Sequence, residues 1–159
     1  MKHIISVLVE NKFGVLARVA GLFSGRGFNI DSLSVGETLD TTKSRMTIVV
    51  DGDDKILEQV TKQLNKLVDI IKVTDFSRDQ DECVERELVL VKVSVNQSTR
   101  GELMQVVDIF RARIINVNRK HLTVEITGND KKITAFIDLL RAFGIKEIVR
   151  TGKVAIARS

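Results

Sequence analysis

The chain of 159 residues has no Trp, no Tyr and no Pro, and only one cysteine, Cys83. Each shortage excludes something. A single cysteine cannot close an internal disulfide and leaves no Cys-x-x-Cys metal motif, the usage expected of a protein kept in a reducing cytoplasm. With no Trp or Tyr, the core must be built from Val, Ile, Leu and seven Phe. No apolar run approaches the roughly 18 residues of a membrane helix. The opening stretch Met1–Glu10 is too short an apolar run for a signal peptide. The two histidines, His3 and His121, lie far apart with no ligand-spaced partners.

What is present is a globular balance of 43% hydrophobic and 29% charged residues, unlike that of a disordered chain. The net charge of +4 is unevenly shared: residues 1–77 hold 10 Lys and Arg against 10 Asp and Glu, and residues 78–159 hold 15 against 11. The cations of the second half are interleaved with Glu85, Glu87, Asp108, Glu125 and Asp138. Without a basic block, this reads as a solvated surface rather than a nucleic-acid footprint.

Hydrophobic period gives alternating short strands and amphipathic helices. Residues 3–9 predict a buried strand, followed by a turn at Asn11–Gly14. Val15, Leu16, Val19, Leu22 and Phe23 recur at helical spacing until Gly25 and Gly27. Phe28 to Val35 reads as a strand with an irregularity near Asp31, and Met46, Ile48 and Val50 alternate as a third strand. Leu57, Val60, Leu64 and Leu67 mark a second helix, and Ile70 to Phe76 a fourth strand. The polar run Ser77–Glu82 is a linker by composition. The pattern then restarts with a strand from Leu88 to Val95, a helix through Leu103 and Phe110, and a hairpin over 114–126. A helix through Ile133 and Leu140 and a terminal strand from Ile145 to Ala157 complete it.

The repeat can be counted. At an offset of 87, Gly14 falls on Gly101, Leu16 on Leu103, Val19 on Val106 and Phe23 on Phe110. At an offset of 76, Leu57 falls on Ile133, Val60 on Phe136 and Leu64 on Leu140. The change of offset implies a shorter connection between the second and third strands of the second copy. Two tandem βαββαβ units of α+β, ferredoxin-like architecture follow, each an antiparallel sheet with helices on one face. The expected division is 1–77, a linker 78–84, and 85–159. A unit of roughly 75 residues is near the lower limit of what one core stabilises. One sheet face and an edge strand would also stay uncovered, so a homodimer with the N-terminal units side by side is expected.

The segment Glu10-Asn11-Lys12-Phe13-Gly14-Val15-Leu16 joins the first strand to the first helix. Asn is a good N-cap, and the bare amides of a helix start form an anion site. Gly14 lets a ligand approach the backbone. A free amino acid suits this chemistry, with its carboxylate at the helix and its ammonium on an oxygen such as that of Asn29. The same spacing also fits Asn11 as a plain cap and Gly14 as a plain turn residue, and periodicity does not choose.

Four blocks, Glu10–Ser24, Arg26–Leu33, Ser44–Val50 and Leu57–Leu67, resemble in order the ACT domain of acetolactate synthase small subunits. Arg86-Glu87-Leu88, Val91-Lys92-Val93 and Ile109-Phe110-Arg111-Ala112 resemble the C-terminal part of that family less distinctively. The resemblance implies a non-catalytic regulatory subunit that activates a catalytic large subunit and confers feedback inhibition by valine, or another branched-chain amino acid, on branched-chain amino-acid synthesis. Thiamine diphosphate, Mg and FAD would belong to the catalytic subunit, with no cofactor here. The effector would sit between paired ACT domains, on Asn11, Gly14, Val15 and Leu16 of one chain and Asn29 and Ile30 of the other. Phe13 departs from the Pro found there in many ACT domains, which would pre-set the helix start.

Other users of this fold fit less well. An acylphosphatase needs an Arg in the first strand–helix loop, where only Lys12 stands. RNA-recognition domains stack bases on aromatics of the inner strands, and here those strands carry Val, Ile and Met. An ACT protein controlling a different enzyme stays open on the residues alone.

Overall fold

A computed structural model describes residues 1–77 and 80–159; Arg78 and Asp79 of the expected linker lie outside the described residues. Two compact units emerge, Met1–Val84 with Lys153–Ser159, and Glu85–Gly152.

In the first unit, strand β1 (Lys2–Glu10) leads to helix α1 (Val15–Gly25), and strands β2 (Asn29–Glu37) and β3 (Lys43–Asp51) form a hairpin. Helix α2 (Asp54–Asn65) and strand β4 (Ile70–Asp75) follow. The sheet order is β2-β3-β1-β4 with every pair antiparallel. The expected irregularity near Asp31 is a register shift between Ile30 and Ser32. Alternate residues of β1 and β3 (Ile5, Val7, Val9, Met46, Ile48, Val50) face a core closed by Val15, Val19 and Phe23 of α1 and Leu57, Val60 and Leu64 of α2. The period-2 strand pattern meets the period-3.6 helix pattern on one face, as binary patterning requires.

The second unit repeats the plan with β5 (Cys83–Ser94), α3 (Arg100–Ile109), β6 (Arg113–Val117), β7 (His121–Gly128), α4 (Asp130–Arg141) and β8 (Ile145–Arg150), in sheet order β6-β7-β5-β8. Its core draws on Val89, Val91 and Val93, Leu103 and Val107, Leu122, Val124 and Ile126, and Ile133, Phe136 and Leu140. The shorter connection expected in this copy is real: residues 118–120 join β6 to β7 where 38–42 join β2 to β3, and β6 itself has 5 residues against 9 in β2.

Two expectations need correction. The linker 78–84 is shorter than expected, because Cys83 and Val84 already belong to β5. The terminal strand Ile145–Ala157 is two strands, β8 and β9 (Val154–Ala157). Gly152, at φ 82, turns the chain between them, and residues 153–159 join the first unit rather than the second. The reason is burial. The face of the first sheet opposite its helices carries Ile4 and Val49, and the returning chain covers it with Ala155. No described helix is long and apolar enough to cross a membrane.

The repeat itself shifts by three residues in its first half. Glu10 N–H donates to the Asp69 carbonyl as Ser94 N–H does to Gly144, and Phe28 N–H to Phe23 as Ala112 N–H does to Val107. These pairs, 10 with 94 and 28 with 112, set the offset at 84. Three residues is nearly one helical turn, so the offset of 87 still laid apolar positions on apolar ones. The offset of 76 stands for the second helices, where the capping residues Asp53 and Asn129 also correspond.

Candidate functional site

The strand–helix loop of the first unit is pinned on both sides. Glu10 N–H donates to the Asp69 carbonyl and Asn11 N–H to the Thr42 carbonyl, both at 2.8 Å. Arg18, one turn into α1, adds a 2.5 Å ion pair with Asp69. Sequence reasoning did not single out this clamp; a cation one turn into a helix was its faint signal.

Asn11 is not the cap. Its Nδ2 donates to Glu37 Oε1 at 3.2 Å and to the Thr41 carbonyl at 3.0 Å, gripping the β2–β3 hairpin. The N-cap position of α1 is Gly14, held at φ 83. This is left-handed backbone that favours glycine, and a Cβ built there would meet nothing within 4 Å. Conformation, not crowding, demands the glycine, and the space beside it is open.

No side chain caps α1, and no acidic residue stands in its first turn. Each of the other described α-helices has an acidic residue in its first turn, and α2 and α4 also have a side-chain cap, which α3 lacks. Asp53 accepts from Lys55 N–H at 2.7 Å at the start of α2, with Asp54 beside it. Asn129 accepts from Lys132 N–H at 3.0 Å at the start of α4, with Asp130 beside it. Helix α3 has Glu102 in its first turn. The Val15 N–H donates to the Lys12 carbonyl at 3.4 Å; the α1 terminus otherwise keeps amides with no side-chain partner and its positive dipole end, the two requirements of a carboxylate site.

The site residues expected from the sequence fall into two groups. Asn11 and Gly14 lie in the loop, Leu16 is 45% exposed beside it, and the Val15 side chain is buried in the core. Exposed Asn29 and half-buried Ile30 stand at the other end of the sheet. Asn29 pairs with Asp51, whereas Glu37 pairs with Ser44 and Glu10 with Lys43. Eight strand residues, about 26 Å at ~3.3 Å each, separate Asn29 from the loop of its own chain.

β2 is an edge strand, with one row of backbone groups not used by β3. An antiparallel, two-fold pairing of β2 with β2 of a second copy sets the start of one strand beside the end of the other. Asn29 and Ile30 of one copy would then approach the loop of its partner. Exposed Phe13, Leu16, Val35 and Leu39 surround this end of the sheet and supply apolar surface for such a contact.

Comparisons with known proteins agree over the whole length. Residues 86–159 match the family described as the small subunit of acetolactate synthase, and residues 5–72 match an AHAS small subunit-like ACT domain. A probable acetolactate synthase small subunit of Archaeoglobus fulgidus is 58% identical over 158 residues, covering 99% of this chain and 98% of the relative. The acetolactate synthase small subunit of Mycolicibacterium smegmatis is 49% identical over 156 residues, covering 98% and 91%. The crystal structure of the small subunit from Thermotoga maritima superposes with a TM-score of 0.90 at 46% identity, covering 100% and 98%. On fold, length and sequence together, this chain belongs to the acetolactate synthase small-subunit family.

Proposed function

We propose that this protein is the cytoplasmic regulatory subunit of an acetolactate synthase, activating a catalytic large subunit and making it sensitive to valine. The observation that carries the reading is the uncapped, acid-free start of α1 on the left-handed Gly14. The carboxylate of a free amino acid meets those amides, worth about 0.3–1 kcal/mol and up to ~2 when partly buried. Its ammonium meets the Asn29 oxygen of the second copy, and Ile30 and Leu16 bracket the side chain. Two half-sites complete each other only in a β2-paired homodimer.

Regulation then follows from linkage. The effector shifts activity only by its difference in affinity between the activating and non-activating arrangements of the dimer. An apolar pocket separates valine from leucine or isoleucine by roughly 1–3 kcal/mol per methylene, so valine leads but its neighbours compete. Catalysis, with thiamine diphosphate, Mg and FAD, stays on the large subunit. The decisive experiment is reconstitution with that subunit, with and without valine, alongside calorimetry of the small subunit alone. Activation relieved by valine is expected, with Asn29→His abolishing the relief and sparing the activation. Full valine inhibition of the Asn29→His complex removes the site assignment.

A further inference from the structure

The face of the first sheet turned away from α1 and α2 carries a small second core of Ile4, Val49, Phe76, Cys83 and Ala155. Four of these five come from the body of the first unit. The fifth arrives from the end of the chain, on residues 153–159. This segment is held by the pairing of β9 with β5 and by Arg158 N–H donating to the Glu82 carbonyl at 2.8 Å. Ala155 N–H adds a long bond, 3.4 Å, to Thr47 Oγ1 on β3.

What it covers and what holds it are unequal. Beneath it lie Phe76 at 6%, Val49 at 3% and Cys83 at 5% exposure. Of its own residues only Ala155 is buried, while Val154 and Ile156 stay 50% and 66% exposed. Ala155 is the one buried side chain that this strand sets over a phenylalanine, an isoleucine and a valine. Segments with few buried apolar contacts open at low free energy. This one also carries the return crossing of the chain: the second unit begins at Glu85 and ends at Gly152, and both of its neighbours in sequence are seated on the first unit.

We propose that residues 153–159 are a detachable strap, a latch that lifts from the first sheet without unfolding it. Lifting uncovers Ile4, Val49, Phe76 and Cys83. Such a two-state element is biased by any ligand or partner that prefers one of its states.

Cys83 is the only cysteine, so its trapping by an aromatic disulfide reagent reports the opening directly. The full-length chain is followed across urea concentrations below the unfolding transition. The expected trapping rate is nearly independent of urea and about tenfold or more above the rate of global unfolding measured under the same conditions. Ala155→Asp should raise it at least about tenfold again, with the circular dichroism spectrum unchanged. Ala155→Gly, which removes only the methyl, should raise it severalfold if the Asp variant does not fold. A trapping rate that tracks global unfolding with urea overturns the proposal. So does an Ala155 variant that reacts as slowly as the parent chain, since Cys83 would then open by another route.

Discussion

Both units connect their first strand to their first helix by the same kind of loop, and they treat it in opposite ways. In the first unit Asn11 turns to the hairpin and leaves the start of α1 bare. In the second, Asn96 Oδ1 accepts the N–H groups of Ser98 and Thr99, both at 2.9 Å. Arg100, equivalent at the offset of 84 to exposed Leu16, donates to the carbonyls of Asn118 and Arg119 at 3.1 and 3.2 Å. Glu102 then occupies the first helical turn. One loop has its polar groups satisfied from within, and the other leaves the start of its helix without a side-chain partner. A fold does not make a ligand site; side chains that decline to fill one do.

The contrast can be broken most severely at the loop itself. Gly14→Asp adds a carboxylate where the ligand's should lie and forces a side chain into left-handed backbone. Valine affinity should fall by at least about 30-fold. Ser98→Asp, at the equivalent position of the second unit, should leave it within about twofold. Calorimetry on both variants checks this, and equal losses would show the two loops to be functionally alike.

The cores offer a second contrast. At equivalent positions the first unit has Phe23 on its first helix and Val60 on its second, and the second unit has Val107 and Phe136. The bulk has changed helices. Phe23→Val should cost about 2 kcal/mol through the space it leaves, and Val60→Phe about 1–3 kcal/mol through overpacking. The double variant should recover part of the sum, a coupling that urea denaturation can measure. Strict additivity would mean the volumes do not meet.

Smaller effects are expected where the first helices end. Gly27 takes the left-handed position after α1 at φ 77, and Arg111 takes it after α3 at φ 54. Gly27→Ala should cost about 1–2 kcal/mol. Arg111→Gly should gain only about 0.5 kcal/mol, since relief of strain is offset by the added freedom of the unfolded chain. Thermal melts of the pair test the sign of each.

The smallest difference is in acid. In the first hairpin, hydrogen bonds from the Thr42 hydroxyl and then its N–H hold the Asp40 carboxyl below the usual aspartate range, helped by Lys43. A depressed pKa stabilises above the unfolded value of about 3.9 and loses that stabilisation as pH falls through the folded value. In the second hairpin the same place is filled by Asn118, which accepts from Lys120 N–H at 2.9 Å and does not titrate. The protection factor of the Thr42 amide, not that of Lys120, should therefore fall as pH drops below the unfolded aspartate value of about 3.9.

Much of this was legible in the residues. Apolar spacing located the strands and helices of both units except β9, which it ran together with β8, because period 2 and period 3.6 are imposed by backbone geometry wherever one face is buried. The fold class and the repeat followed. The repeat's register did not, because a slip of three residues along a helix barely moves its apolar face. Asn11 read equally well as a cap or as something else, since capping depends on whether a competing acceptor is near. The Glu37 side chain and Thr41 carbonyl that claim it come from a hairpin 26 and 30 residues away. The strap was illegible for a similar reason. Val154 to Ala157 has the composition of any strand, and nothing local says which sheet it will join.

Sequence alone therefore determined what each segment is: strand, helix, glycine turn, and a family pattern carried by blocks of adjacent residues. Tertiary structure decided who meets whom: the uncapped start of α1, the distance between Asn29 and the loop of its own chain, and the packing of residues 153–159 with the first unit. Local conformation is set by forces acting over a few residues. Partner choice is set by which long-range surface is left unburied, and no window along the chain contains that information.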